Sequence, residues 1–153
     1  MTSSSTKLLH EQEIFRRFTK CLGTEMEWLS VESRNPPEPD LLCTHSVLGS
    51  IAFELVSLTD PVIAKIQDGG SKANQSVFST SDPSSRIVRE KLHKKYVIDK
   101  NYIELLVYSE GRLITPDDVI IPTILPLFNS IPHTFKRVWF MGEVKTCCLW
   151  SSS

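Results

Sequence analysis

Two acidic residues set in apolar surroundings are the first candidates for chemistry in this chain of 153 residues. Asp40 follows the proline-rich segment 35–39 and begins the apolar run 41–43, and Glu54 interrupts the apolar run 51–56. An ionised carboxylate inside a buried strand is costly unless a cation or a proton compensates its charge. If these two strands are neighbours, Asp40 and Glu54 together predict a site for a divalent metal.

A third acid, Glu11, lies in a segment that predicts a helix over residues 7–22. At about 100° per residue, Phe18 and Leu22 lie within about 20° of Glu11, which places this acid in the middle of the apolar stripe. Glu13 lies on the opposite face. Acids are rare at the centre of a buried helix face. Two interpretations stay open: Glu11 reaches water or a lysine at the helix rim, or it is the third acid of a site.

The apolar periodicity predicts a mixed α/β architecture. Strands are predicted at 25–32, 40–45, 50–58, 102–108, 135–141 and 145–150, and helices at 7–22 and 84–96 and after Thr115, the last broken by Pro122 and Pro126. Near-continuous apolar character places the strands at 40–45 and 50–58 centrally in a sheet covered on both faces. Residues 61–66 are predicted to form a helical turn and residues 67–83 an exposed loop.

Composition is that of a globular protein, with 41% hydrophobic and 23% charged residues. The net charge of -1 gives no overall basic signature of nucleic-acid binding. We expect one domain over residues 1–153. The apolar stretches are shorter than a membrane span, residues 1–7 lack the apolar core of a signal peptide, and the four cysteines have no Cys-x-x-Cys spacing. A cytoplasmic protein with no membrane association is therefore expected.

Taken together, the acids resemble the motif of the PD-(D/E)XK nucleases. The matching parts are a helix with Glu11, Pro39-Asp40 at the start of a strand, and Glu54-Leu55-Val56 on the next strand. The order of one helix, three strands, one helix and one strand over about 7–108 is also similar to the core of that family. The resemblance implies a restriction endonuclease-like fold: a mixed central sheet flanked by helices, with an α-β-β-β-α-β core and a C-terminal α-β-β extension over 109–153.

The resemblance also implies a function. In that family the residues corresponding to Asp40 and Glu54 coordinate Mg²⁺ or Mn²⁺, hard cations that prefer oxygen ligands. The metal activates a water molecule and stabilises charge on the phosphate, and the helix acid supports the site. The implied partner is nucleic acid, with DNA favoured over RNA. The fold often works as a dimer, so a homodimer is a candidate assembly.

The sequence departs from the motif at Val56, where the family has a lysine. One explanation is migration, in which another lysine reaches the same point in space. On the wheel of the helix at 84–96, Lys91 and Lys95 lie near the apolar face, so either is a candidate, and Lys65 is a weaker one. The alternative for each of these two lysines, which the pattern favours for either one alone, is a stem on the core and a head in water. The other explanation is a decayed site that binds without cutting.

Basic residues cluster on the same helix and just after it, where they suit a phosphate backbone or are simply a solvated face. They are Arg86, Arg89, Lys91, Lys94, Lys95 and Lys100.

Three functions are therefore compatible with the sequence. The first is a metal-dependent phosphodiester hydrolase with Glu11, Asp40, Glu54 and Lys91 or Lys95 in its site. The second is a degenerate domain of the same fold that binds nucleic acid or protein. The third is a small α/β interaction protein whose acids are exposed at strand ends, with Asp40 finishing the turn.

Overall fold

The computed structural model describes residues 3–58, 83–96, 102–110 and 116–152. The helices are α1 (Ser3–Leu22), α2 (Ser84–His93), α3 (Asp117–Ile124) and α4 (Leu127–Ser130). The strands are β1 (Trp28–Ser33), β2 (Leu41–His45), β3 (Gly49–Ser57), β4 (Ile103–Tyr108), β5 (Phe135–Met141) and β6 (Thr146–Ser151). The turn predicted at 61–66, Lys65, Lys100 and all but the last residue of the loop predicted at 67–83 lie outside the described residues.

All six strands form one sheet in the order β1-β2-β3-β4-β5-β6. β1, β2 and β3 form an antiparallel meander. β4 and β5 are added parallel to β3, and β6 returns antiparallel to β5. A parallel neighbour requires a crossover, and the helices α2, α3 and α4 lie in the connections that precede β4 and β5. The predicted mixed sheet with helices is confirmed, and β3 has the predicted central position.

Helices cover both faces of the sheet. α1 packs on one face through Ile14, Phe15 and Phe18. On the other face lie α2, through Val88 and Leu92, and the apolar residues of α3 and α4. Because side chains alternate along a strand, β3 contributes Phe53 and Leu55 to the α1 face and Ala52 and Val56 to the α2 face. A strand covered on both faces must be apolar almost throughout, which explains the composition of β3 and β4.

α1 ends where the sequence predicts, at Leu22. Gly23 adopts a left-handed φ of 73°. The Gly23 N–H donates to the Lys20 carbonyl at 3.0 Å, and the Thr24 N–H donates to the Thr19 carbonyl at 2.9 Å. This pair of bonds is the Schellman arrangement, in which glycine avoids the strain that a Cβ would bring at positive φ.

Two predicted elements are shorter than expected. Residues 25–27 form a short 3-10 turn instead of the start of a strand, so β1 begins at Trp28. The helix predicted at 84–96 ends at His93 because Lys94 adopts an extended backbone, with φ −77° and ψ 145°. The extended residue turns the chain so that the ring of Tyr96 packs 5.9 Å from that of Phe135.

The proline-containing segment is broken as predicted. α3 tolerates Pro122 but ends at Ile124, and α4 begins directly after Pro126. Pro116 precedes the first residue of α3. Thr115, after which this helix is predicted to begin, lies outside the described residues. No helix among the described residues is both long and apolar enough to cross a membrane.

Asp117, at the start of α3, joins this helix to the turn between β5 and β6. Its buried carboxylate accepts the backbone N–H groups of Glu143, Val144 and Lys145 at 3.1, 2.8 and 2.9 Å. A Cβ at Gly142 would collide with the same carboxylate. Three charge-assisted bonds to one side chain fix the turn against the helix.

We predict that Asp117→Ala lowers the free energy of unfolding by about 1–3 kcal/mol, because the three N–H groups lose their acceptor. Asp118→Ala is the matched control: its side chain is 77% exposed and pairs with Lys145 at the surface. Its effect should stay below about 1 kcal/mol. Urea denaturation measures both, and equal stabilities of the two variants would contradict the structural role of Asp117.

Candidate functional site

The candidate site lies where β2 begins beside β3. Leu41 pairs with Phe53, and this is the last backbone pair between the two strands. One step further, Asp40 stands opposite Glu54, beyond the start of β2. Strand β3 continues to Ser57, so its last four residues extend beyond the region paired with β2.

Asp40 and Glu54 replace the missing strand pairing with their side chains. The Asp40 N–H donates to Glu54 Oε1 at 3.0 Å, and the Leu55 N–H donates to Asp40 Oδ2 at 2.9 Å. Each acid therefore satisfies a backbone donor on the other strand, which fixes both carboxylates in position. The proline-rich turn holds Asp40 in place, since the Arg34 N–H donates to the Asp40 carbonyl at 2.9 Å.

Lys91 of α2 reaches Glu54 from the helix that covers this face. Its Nζ lies 2.9 Å from Glu54 Oε2, and its side chain is 20% exposed whereas that of Glu54 is 1% exposed. A second ammonium, Lys94 Nζ, lies 3.8 Å from the same oxygen and is half exposed. A buried carboxylate needs such a partner, because desolvation disfavours its charge.

Glu11 approaches the same pair of acids from α1. It is 7% exposed. Burial, then the charge of Asp40 and a hydrogen bond to it, raise the pKa of Glu11 to about 7, against the opposing charge of Lys7. Glu11 therefore keeps its proton up to a pH of about 7, because its charged form would be buried beside Asp40.

Burial and neighbouring charge shift the pKa values of two further groups at this site. Burial and then the Asp40 carboxylate raise the pKa of Glu54, although the Lys91 ammonium lowers it. Burial and the Glu54 charge also raise the pKa of the Tyr96 hydroxyl. That hydroxyl is buried and has no well-formed hydrogen bond within the described residues. Two ammonium groups, those of Lys91 and Lys94, therefore meet a cluster of acids whose charged forms are disfavoured by burial.

The structure brings together four of the five residues selected from the sequence: Glu11, Asp40, Glu54 and Lys91. The fifth, Lys95, is exposed and follows the end of α2, where helical geometry no longer applies. Val56 is buried in the core beneath α2. The interpretation in which the acids are exposed at strand ends does not hold for Glu11 and Glu54.

Sequence reasoning missed Lys94 and Tyr96 as neighbours of Glu54. Both follow His93, and the wheel that placed Lys95 near the apolar face assumed a helix through residue 96. The signal available in the sequence was weak, since no glycine or proline marks the end of α2.

The donor set of Asp40 and Glu54 fits a hard divalent cation. Both side chains are carboxylates, both accept backbone N–H groups, and burial followed by the Asp40 charge raises the pKa of Glu54. Within the described ranges, no group of three or more His, Cys, Asp or Glu side chains is placed to hold a metal ion. Mg²⁺ needs no such cage, because it commonly binds through one or two carboxylates, water and substrate phosphate.

Comparisons with protein-family models, with curated proteins and with solved structures found no match to this chain. The function is therefore argued from the residues of the chain itself.

We predict that Glu11 makes the metal-free protein less stable as the pH rises from about 4.5 to about 7, because the folded state holds its proton more tightly than the unfolded state does. Below this window Glu11 is protonated in both states and imposes no cost. Glu11→Gln removes the cost, so its stability relative to the native protein should increase by on the order of 2 kcal/mol between pH 4.5 and pH 8.

Glu13→Gln is the matched control, since Glu13 lies on the same helix with a side chain that is 59% exposed. Denaturation with a chelator present measures all three proteins across the pH range. A stability difference for Glu11→Gln that does not change with pH would show that Glu11 titrates normally.

Proposed function

We propose that this protein hydrolyses phosphodiester bonds in nucleic acid with the help of Mg²⁺ or Mn²⁺. The observation that carries the proposal is the Lys91 ammonium 2.9 Å from Glu54 Oε2, where the strand itself offers only Val56. The nuclease motif has a lysine on the same strand as its second acid, and this chain has Val56 at that position. In this proposal α2 supplies the lysine in place of β3.

The order of the elements supports a restriction endonuclease-like fold. Among the described residues, one helix, an antiparallel three-stranded meander, a further helix and a parallel fourth strand follow in the order that the resemblance implies. Asp40 directly precedes the second strand, Glu54 lies within the third, and Glu11 reaches Asp40 from the first helix. Among the described residues after β4, two short helices pack on the α2 face, and two strands extend the sheet beyond β4.

Each residue has a distinct role in this proposal. Asp40 and Glu54 would hold the cation, which when bound supplies an activated water and stabilises charge on the phosphate. Lys91 would orient the attacking water or neutralise charge that develops on the phosphate, as a fixed cation does in a site of low dielectric. Glu11 would accept or release a proton beside Asp40, since its pKa of about 7 lies near the pH of the reaction.

Two surfaces favour nucleic acid over a smaller phosphate ester. The exposed face of α2 carries Arg89, and Lys94 and Lys95 follow directly, so positive charge borders the site. A cavity of about 440 Å³ begins at Tyr96 and is lined by further rings, those of His133, Phe135 and Trp150, with Lys136 at its edge. Aromatic side chains beside a cationic group suit the stacking of unpaired bases. The proposed preference for DNA, and the homodimer, rest on the resemblance alone.

A degenerate binding domain is the second candidate. Lys91 already neutralises Glu54, and the described residues contain no group of three potential metal ligands. In such a domain the same basic surface would bind nucleic acid, but no bond would be cut.

We predict that Lys91→Met lowers the rate of metal-dependent cleavage by about 100-fold or more, because the site loses its fixed cation. Lys95→Met removes an equal charge from an exposed position just after α2, and this variant should cleave at close to the native rate. The assay uses labelled single- and double-stranded DNA and RNA with Mg²⁺ or Mn²⁺, and a chelator as the blank.

The two variants also separate the two functions. If the native protein cleaves and both variants cleave at the native rate, Lys91 takes no part in the mechanism. Metal-independent binding of the same strands without cleavage would establish the degenerate domain in place of the enzyme.

A further inference from the structure

A second cavity lies on the opposite face of the sheet, beneath the C-terminal end of α1. Its volume is about 330 Å³, which is within the range of small-ligand sites. The rings that line it are Phe18, Trp28, His45, Phe53 and Trp139. We call this space the aromatic cavity. It lies on the α1 face, whereas the Glu54 carboxylate meets α2 on the other face, so it does not belong to the site described above.

The rings of the aromatic cavity face different directions. Trp28 meets His45 at 4.9 Å and 82°, and it meets Phe53 at 5.8 Å and 74°. Phe18 meets Trp139 at 5.4 Å and 67°. Phe18 and Phe53 are 1% exposed and form the floor, whereas the two tryptophans and His45 are partly exposed and form the walls. These rings pack edge to face against one another and together line the space.

A buried carboxylate borders the same space. Glu104 is 2% exposed and is the second residue of β4. It accepts the Trp139 Nε1–H at 2.6 Å and lies 3.3 Å from Arg137 NH1. That guanidinium also donates to the Tyr102 hydroxyl at 2.7 Å, so its charge is shared between two acceptors.

A second carboxylate, Glu27, lines the entrance. It lies 2.9 Å from His45 Nε2. The Nδ1 atom of His45 accepts the N–H groups of Val47 and Leu48, both at 3.1 Å, so this nitrogen carries no proton. His45 is therefore neutral and donates its Nε2–H to Glu27. Two carboxylates against one guanidinium leave an excess of negative charge at the aromatic cavity.

We propose that the aromatic cavity binds an alkylammonium group, that is, an organic cation with a methylated nitrogen. Aromatic faces attract such a cation through their quadrupoles, and the methyl groups make favourable contact with the same rings. The excess negative charge of Glu27 and Glu104 adds a Coulomb attraction that a neutral ligand does not gain. Anions are disfavoured, because Arg137 is already engaged by Glu104 and Tyr102.

The alkylammonium group could belong to a free metabolite-sized cation or to a methylated lysine of a protein. Both present the same chemistry to the rings. This proposal does not depend on phosphodiester hydrolysis, and loss of either function leaves the other unaffected.

Titration with choline tests the proposal, followed by the fluorescence of the tryptophans that line the aromatic cavity and by calorimetry. The control ligand is 3,3-dimethyl-1-butanol, which has the shape of choline without its charge. We expect choline to bind at least about tenfold more tightly than the neutral alcohol. A peptide with trimethyllysine is titrated in parallel: the tighter of the two cations identifies the source, and either result supports the site.

Glu27→Gln measures what the Glu27 charge contributes to binding. The Glu27 side chain is 51% exposed, so the substitution leaves the core intact. We expect it to weaken choline binding about threefold. Glu25→Gln, in the same 3-10 turn but away from the aromatic cavity, should bind like the native protein. Equal binding of choline and the alcohol, binding of neither cation, or equal effects of the two substitutions would overturn the proposal.

Discussion

The burial of the Glu54 carboxylate in a central strand is the constraint on which the site depends. The charge is kept by three groups: the Asp40 N–H, the Lys91 ammonium and, at a longer distance, Lys94. Removing any one partner of a buried ion pair leaves a charge without compensation, which is far more costly than losing a surface pair. The start of β2 supplies the Asp40 N–H and α2 supplies the Lys91 ammonium, so both elements contribute partners to this one carboxylate.

Much of the fold could be predicted because the hydrophobic pattern is strong where the sheet is central. Strand β5 has the predicted limits, and α1, β2, β3, β4 and β6 differ by only a few residues. Buried strands such as β3 and β4 must be apolar on both faces, so their signal is plain in the sequence. The acids of the site were recognisable for the same reason: Glu54 and Glu11 interrupt patterns that are otherwise apolar.

What the sequence did not predict depends on three-dimensional contacts. The helix α2 ends at His93 because Lys94 is extended and Tyr96 packs on Phe135. No glycine or proline near His93 indicates this end in the sequence. The choice between Lys91 and Lys95 therefore required the structure. The aromatic cavity brings together residues from α1, β1, the β2–β3 hairpin, β4 and β5, so no spacing along the chain could have indicated it.

We propose that Asp40 and Glu54 form a site for a divalent cation, and calorimetric titration with Mn²⁺ measures this binding. The native protein is compared with the variant that combines Asp40→Asn and Glu54→Gln, which keeps the shape of both side chains but removes both charges. We expect Mn²⁺ to bind the native protein at about pH 6 and to displace a proton from Glu11, whose pKa is raised to about 7, and we expect no binding to the variant. Equal heats for the two folded proteins would contradict it.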